Sequence, residues 1–526
     1  MVRSCTVCIE FLYRESSFDL LLQEAERCDR ALKRPKKIDR LHEEDHLIKI
    51  FTKLMLQGKV RDAVKWVTGR CSCGVLDPHE ILDVAGRPMT VLEVLQTKHP
   101  ACTFPDLSQM VKFPTELPLL ADIEITGSHI ERAVRRLRGG AGPSGTDALK
   151  WQDFLLHYGS HSEHLRDAVA SLTRCIANSI IDWKRIRALM ASRLIALDKQ
   201  PGVRPIGIGE CLRRIMGKCV ALETGMDVEG LCGTRQLCSG VKSGIEGAIH
   251  AVTDAYNEHI EEDWGLLLVD ASNAFDSINR IAPLCNARVF WPRCARFIFN
   301  TYRGCSPLVV QGADTFLYSR EGVTQGDPLS MLLYAVATLP LIGHLNAHKH
   351  VIQNWYADDA SAIGELEHVQ AWLQDLMVKG PAFGYHPEPH KCYLIVTPRL
   401  KERSELLFGP LGVKIVTGQR FLGGYIGDSH GQQLYMTKKI TEWCSHVDKL
   451  ATAAKNQPQC AFAALTKSLQ FEWNFFQHVI PGCSELFESL EAVIAERFLP
   501  AIFGGAVTET ERKIVALPAR KGGLGI

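Results

Sequence analysis

Hydrophobic positions along this 526-residue chain follow three successive rhythms. Through about residue 120 they recur at helical spacing, in SSFDLLLQEAERCDRALKR (16–34), HLIKIFTKLML (46–56) and RDAVKWV (61–67). From about 190 to 430 short apolar runs alternate with helical stretches, and RLIAL, GLLLV, PLVVQ, YLIV and GVKIV are the strand candidates. Beyond about 430 the helical period returns, in KITEWCSHVDKLATAA and ELFESLEAVIAERFLPAIF. A Gly- and Pro-bearing loop, RGGAGPSGTDALKW (138–151), breaks regular structure ahead of the mixed region. No internal repeat or low-complexity tract interrupts the chain. The pattern predicts an α+β fold with a helical region at each end.

Composition adds little. Apolar and charged shares of 46% and 23% are those of an ordinary globular protein, and the length allows several subdomains with a large core. The formal net charge of +1 favours no partner, but residues 130–220 hold sixteen Lys or Arg against eight Asp or Glu. Such a surplus suits a polyphosphate partner. Eighteen cysteines lack a regular frame and no apolar leader opens the chain, so reduced thiols in an intracellular protein are expected. The longest apolar run, MLLYAVATLPLI (331–342), is too short for a bilayer and contains Pro340, so no membrane segment is expected.

Chemistry enters with WYADDASAIG (355–364), which sets Asp358 and Asp359 side by side among apolar and small neighbours. In a strand–turn–strand hairpin, Asp is a good turn former, but adjacent like charges also suit a bound cation. A third acid, Asp270, ends the buried-type run Leu266–Val269, where a carboxylate is costly unless paired or bound to a cation. A strand-tip Asp and a hairpin-tip Asp pair can meet on one surface of a sheet. Three hard oxygen ligands of this kind suit Mg²⁺, which prefers carboxylates and substrate phosphates. Two such ions about 4 Å apart activate an attacking hydroxyl and stabilise a leaving pyrophosphate. Because successive strand residues face opposite sides, Asp358 is expected to be the main ligand beside Asp270, with Asp359 supporting.

The neighbours of these acids occur in an order that resembles reverse transcriptases. VDASNAFDSI (269–278) resembles their first catalytic motif, REGVTQGDPLSMLLYAVA (320–337) the next, and WYADD (355–359) the hairpin with the catalytic pair. RLIALDKQPGVRPIGIGECLRRIMGK (193–218) resembles the fingers segment, and FLGGYIG (421–427) the primer-grip hairpin. The RPI, AFD and QGDPLS forms fit the non-LTR (LINE-type) and group II intron-like branch best, over roughly 125–430. The resemblance implies a right-hand polymerase: a helical N-terminal extension (1–124), fingers and an antiparallel-sheet palm (125–430), and a helical thumb (431–526), expected to be truncated at LPARKGGLGI, where relatives often continue.

By the same resemblance, Asp270, Asp358 and Asp359 are the metal-binding catalytic acids, with Mg²⁺ as the two-ion cofactor and Mn²⁺ as a substitute. Phe275 lies under the sugar of the incoming nucleotide, where its ring excludes a 2′-hydroxyl and selects deoxynucleotides. Lys199 and Arg204 match cations that grip the triphosphate. Gln325 packs near the sugar and template, Gly326 lets backbone approach closely, and Lys391 falls where a lysine is suggested to protonate the leaving pyrophosphate. Asn273 departs from the lysine that many relatives carry there. The implied partners are an RNA template, a DNA primer and deoxynucleoside triphosphates. No endonuclease or RNase H motif set is recognised.

Other signals compete. HEEDH (42–46) matches the zinc-protease form H-E-x-x-H through His42, Glu43 and His46. At ~100° per residue the stripe of Leu47, Phe51 and Leu54 faces away from both histidines, which predicts a solvated face rather than a zinc cleft. CTVC (5–8) and CSC (71–73) lack a second half with ligand spacing. A further class is a catalytically inactive, retroelement-derived RNA-binding protein, against which the three retained aspartates speak.

Overall fold

The five apolar runs all become strands of a computed structural model that describes residues 43–70, 74–84, 86–105, 114–199 and 202–526. In chain order the strands are β1 (Ile81–Val84), β2 (Arg87–Thr90), β3 (Ser192–Asp198), β4 (Val203–Gly209), β5 (Trp264–Val269), β6 (Ser306–Val310) and β7 (Phe316–Ser319). They continue with β8 (Ile352–Tyr356), β9 (Asp359–Glu365), β10 (Tyr393–Ile395), β11 (Lys414–Val416), β12 (Gly418–Phe421) and β13 (Gly424–Gly427). With the many helices between them they make a mixed α+β chain.

The described residues divide into two compact units, one within 74–443 and 472–490, the other within 43–70, 444–471 and 491–526. The larger unit holds every strand. Its central sheet has the order β11-β10-β5-β9-β8, antiparallel except for the β10–β11 pair. β5 is buried along nearly its whole length, as a continuous apolar run requires when both faces of a sheet are covered. Beneath lies the apolar helix Ser330–Leu345, which runs on through Pro340, together with fully buried Trp291, Trp355, Trp372, Tyr334 and Tyr385. A second sheet has the order β4-β3-β6-β7, with β3 and β6 parallel. β12 and β13 form a separate hairpin.

The region before residue 124 is not helical throughout. β1 and β2 form an antiparallel hairpin whose turn is closed by Asp83 Oδ1 accepting the Gly86 N–H at 2.7 Å. Gly86 takes a left-handed φ of 79°, which a side chain would oppose. A short hairpin of this kind leaves almost no periodic trace.

The smaller unit is helical. Helices Glu43–Leu56 and Val60–Val67 pack on Pro458–Ala464 through buried Phe51, Val64, Val67, Ala461 and Ala464. Phe51 faces the core from the first of these helices, and His46 is half-buried on it; His42 and the cysteines of CTVC and CSC lie outside the described residues. No helix among the described residues is long and apolar enough to cross a membrane. None of the thirteen cysteines among them is in a disulfide, and burial pushes up the pKa of those in the core.

Candidate active site

β5 delivers Asp270 to the hairpin tip by its pairing with β9. Val269 lies opposite Ala360, so the next residue along falls level with Asp359. On its other side Asp359 pairs with Tyr356, leaving Ala357 and Asp358 as the two turn residues. The three aspartates are close enough for their charges to act on one another. Loss of hydration, then repulsion from Asp270, raises the Asp358 carboxyl, against its own backbone hydrogen bond, Lys199 and Arg204. Asp359 reaches solvent on one side but is crowded by protein on the other. That crowding, then Asp358 and Asp270, pushes it up to about 7, with Lys199 opposing.

A site that holds back the ionisation of its own carboxylates is short of positive charge. Hard oxygen donors in that state fit a divalent cation such as Mg²⁺. Among the described residues no three His, Cys, Asp or Glu side chains form a ready-made metal cage. An open arrangement suits an ion that keeps water and phosphate oxygens in its shell.

The tip is held by residues that no motif announced. Ala357 has a left-handed φ of 55°, uncommon for a residue with a Cβ. Its N–H donates to Gln236 Oε1 at 2.8 Å, and its carbonyl accepts from Gln236 Nε2 at 3.0 Å. Gln236 is fully buried and also reaches Thr338. The Tyr385 hydroxyl donates to the Asp358 carbonyl at 2.9 Å, and burial raises its pKa far enough to keep it a donor.

Past Asp270 the chain turns through Asn273, at a φ of 48°, into the single turn Ala274–Ser277. The half-buried Phe275 ring stacks on Tyr334 with centroids 4.5 Å apart. Asp276 is buried, its Oδ2 has no partner among the described residues, and burial raises its pKa to about 7 against Lys98 and Arg280.

The segment around Gln325 and Gly326 packs on β4. The Gln325 carbonyl accepts the Gly207 N–H at 3.1 Å. Gly326 has a φ of 102°, and a Cβ there would lie 2.7 Å from the Gly207 carbonyl oxygen, so both conformation and space require glycine. Asp327 Oδ2 pairs with Arg213 at 2.5 Å, both buried, while its Oδ1 caps the Leu329 N–H at 2.9 Å. This pair ties the helix Cys211–Cys232 to the start of Ser330–Leu345 and was not foreseen.

Lys199 and Arg204 are exposed on the β3–β4 hairpin, where Leu197 lies opposite Arg204. Lys391 is half-exposed and paired with Glu388, whose N–H donates to the Asp270 carbonyl at 2.9 Å. The basic stretch 130–220 is not one solvated strip. Arg213 and Arg214 are buried, Arg214 bonding the carbonyls of Arg138 and Gly140, and Arg135 pairs with Glu131.

Residues 197–426 match the family model described as reverse transcriptase (RNA-dependent DNA polymerase). A curated relative is the retrovirus-related Pol polyprotein from type-1 retrotransposable element R2 of Nasonia vitripennis. It is 25% identical over 301 residues, which cover 53% of this chain and 28% of that polyprotein. The chain therefore spans less than a third of this relative's length. Among solved structures, apo telomerase from Candida tropicalis aligns at 12% identity over 62% of this chain and 65% of that one, with a TM-score of 0.35. A form truncated from its C-terminal domain aligns at 12% identity over 40% and 50%, with a TM-score of 0.31.

Proposed function

From a chain that carries a reverse transcriptase domain over residues 197–426, we propose an RNA-directed DNA polymerase that extends a primer 3′-hydroxyl on an RNA template. The observation that carries this reading is the register of the central sheet, which sets Asp270 at the end of β5 level with Asp359 and beside the turn residue Asp358. In this assignment residues 125–430 are fingers and palm, 431–526 a thumb and 1–124 an N-terminal extension.

The reaction joins the primer oxygen to the α-phosphorus of a deoxynucleoside triphosphate and breaks the bond to pyrophosphate. Asp270, Asp358 and Asp359 would hold Mg²⁺, which when bound supplies an acidified hydroxyl and a neutralised leaving group. Gln236 and Tyr385 fix the backbone beneath two of these ligands, so little reorganisation is needed at the moment of reaction. Lys199 and Arg204 receive the triphosphate. Phe275, braced by Tyr334, closes the space a 2′-hydroxyl would need. Gln325 and Gly326 border the nucleotide, and Lys391, held by Glu388, donates the proton to pyrophosphate.

Primer extension on an RNA template, run beside Asp358→Ala, tests the reading. Template-dependent DNA synthesis by the unaltered protein and its loss in the variant are expected. Equal synthesis by the two proteins would remove the site assignment.

A further inference from the structure

Lys98 comes from far outside the matched domain, yet its backbone is built into the site. It follows the helix Val91–Thr97, whose start is fixed by a capping box between Thr90 and Glu93. Its carbonyl accepts a 2.7 Å hydrogen bond from Asn273 Nδ2, across 175 residues of chain. Asn273 sits three positions past Asp270, at the left-handed residue that opens the Phe275 turn. A few residues on, Thr103 Oγ1 donates to Glu321 Oε2 at 3.0 Å and the Thr103 carbonyl accepts from Asn279 Nδ2 at 3.0 Å. Residues 98–103 are thus stitched at both ends to the segment leaving β5.

The Lys98 ammonium is half-buried, and among the described residues it forms no ion pair or hydrogen bond. It lies within electrostatic range of Lys199, Asp276, Lys391 and Glu388. Lys199 is in turn within range of Asp358 and Asp359. Lys98 thus shares the carboxylate end of the sheet with two other lysines that repel it. Such a group of like charges, one partly desolvated and unpaired, is unfavourable on its own and becomes favourable beside a polyanion. Asp276 does not account for the lysine, since it makes no ion pair with Lys98 and burial outweighs the lysine's pull on it.

We propose that Lys98 is a triphosphate ligand for the incoming nucleotide, carried in by the segment before the domain and positioned by Asn273 through the Lys98 carbonyl. The assignment rests on the polymerase reading. A triphosphate is a compact multiple anion and suits lysines that three separate segments bring to one end of the sheet, whereas a nucleic-acid backbone spreads its charge along the strand.

Equilibrium binding of dATP to the protein on a dideoxy-terminated primer and RNA template tests this without turnover, alongside steady-state extension. Lys98→Gln, which keeps much of the stem, should weaken dATP binding and raise the nucleotide KM about tenfold or more, as loss of a charge-assisted bond does. Affinity for primer–template should stay unchanged, Lys98→Arg should recover most of the loss, and Asn273→Ala should show a smaller defect. Unchanged dATP affinity in a folded Lys98→Gln protein overturns the proposal. So does weakened primer–template binding with unchanged dATP affinity, which would give Lys98 to the nucleic-acid backbone. An unaltered protein that binds dATP through Lys98 yet extends no primer would defeat the polymerase reading and leave this site standing; one that binds no dATP defeats both.

Discussion

Gln236 holds Ala357 by both of its main-chain polar groups, accepting its N–H at 2.8 Å and donating to its carbonyl at 3.0 Å. The grip falls on the strained residue that precedes Asp358, and it comes from a side chain with no access to solvent. Gln236→Ala strips partners from two buried backbone groups, at a cost of about 1–3 kcal/mol for each left unsatisfied. Primer extension should then fall in kcat with nucleotide KM little changed, because the proposed metal ligands move while the proposed triphosphate cations stay. Steady-state kinetics with a thermal melt to separate unfolding from misplacement would check this. Wild-type kcat in a folded variant would mean the tip holds itself.

Asp327 and Arg213 join two helices through a buried pair. Asp327→Asn can keep the cap on Leu329 while leaving the guanidinium buried without a counter-charge. Breaking such a pair from one side costs ~3–5 kcal/mol, so the urea midpoint should drop well below that of the unaltered protein. A midpoint shift close to zero would count against the pair as a structural tie.

The carboxylates predict a particular pH response. Without a cation, burial pushes Asp359 and Asp276 up to about 7 in the folded chain, against 3.8 for an ordinary aspartate carboxyl. The folded state therefore binds more protons in that window, and stability should fall as pH rises from about 4 to 7. In the proposed assignment Mg²⁺ competes with the protons at Asp358 and Asp359, so its affinity should climb through pH 7 and level off above. Calorimetry at pH 6.5 in buffers of different ionisation enthalpy should register proton release on Mg²⁺ binding. Asp359→Asn should reduce that release, and an unchanged value would remove Asp359 from the ligand set.

Phe275 rests on Tyr334 rather than being sealed in the core. In the proposed reading Phe275→Ala opens the space beside the nucleotide sugar, and ribonucleotide use relative to deoxynucleotide use should rise about 10–100-fold, the range a shape contact can command. Ratios of kcat/KM for the two sugars measure it. An unchanged ratio would reject Phe275 as the sugar gate.

Local patterning by itself determined the strand runs and the helical segments at 46–56 and 61–67, because side-chain period is written within a few residues, and the resemblance to a family singled out the acids at 270, 358 and 359. It missed the β1–β2 hairpin, too short to leave a period, and it could not separate solvated arginines of 130–220 from the buried Arg213 and Arg214. Tertiary structure alone decided that β5 pairs with β9 and brings Asp270 level with Asp359. It alone set Gln236 beneath Ala357, Tyr385 against Asp358, and Asn273 against Lys98. Each of those bonds joins residues remote in sequence, and a hydrogen bond gains its worth from the burial that packing creates, so the chain's own alphabet carries no sign of it until the core has formed.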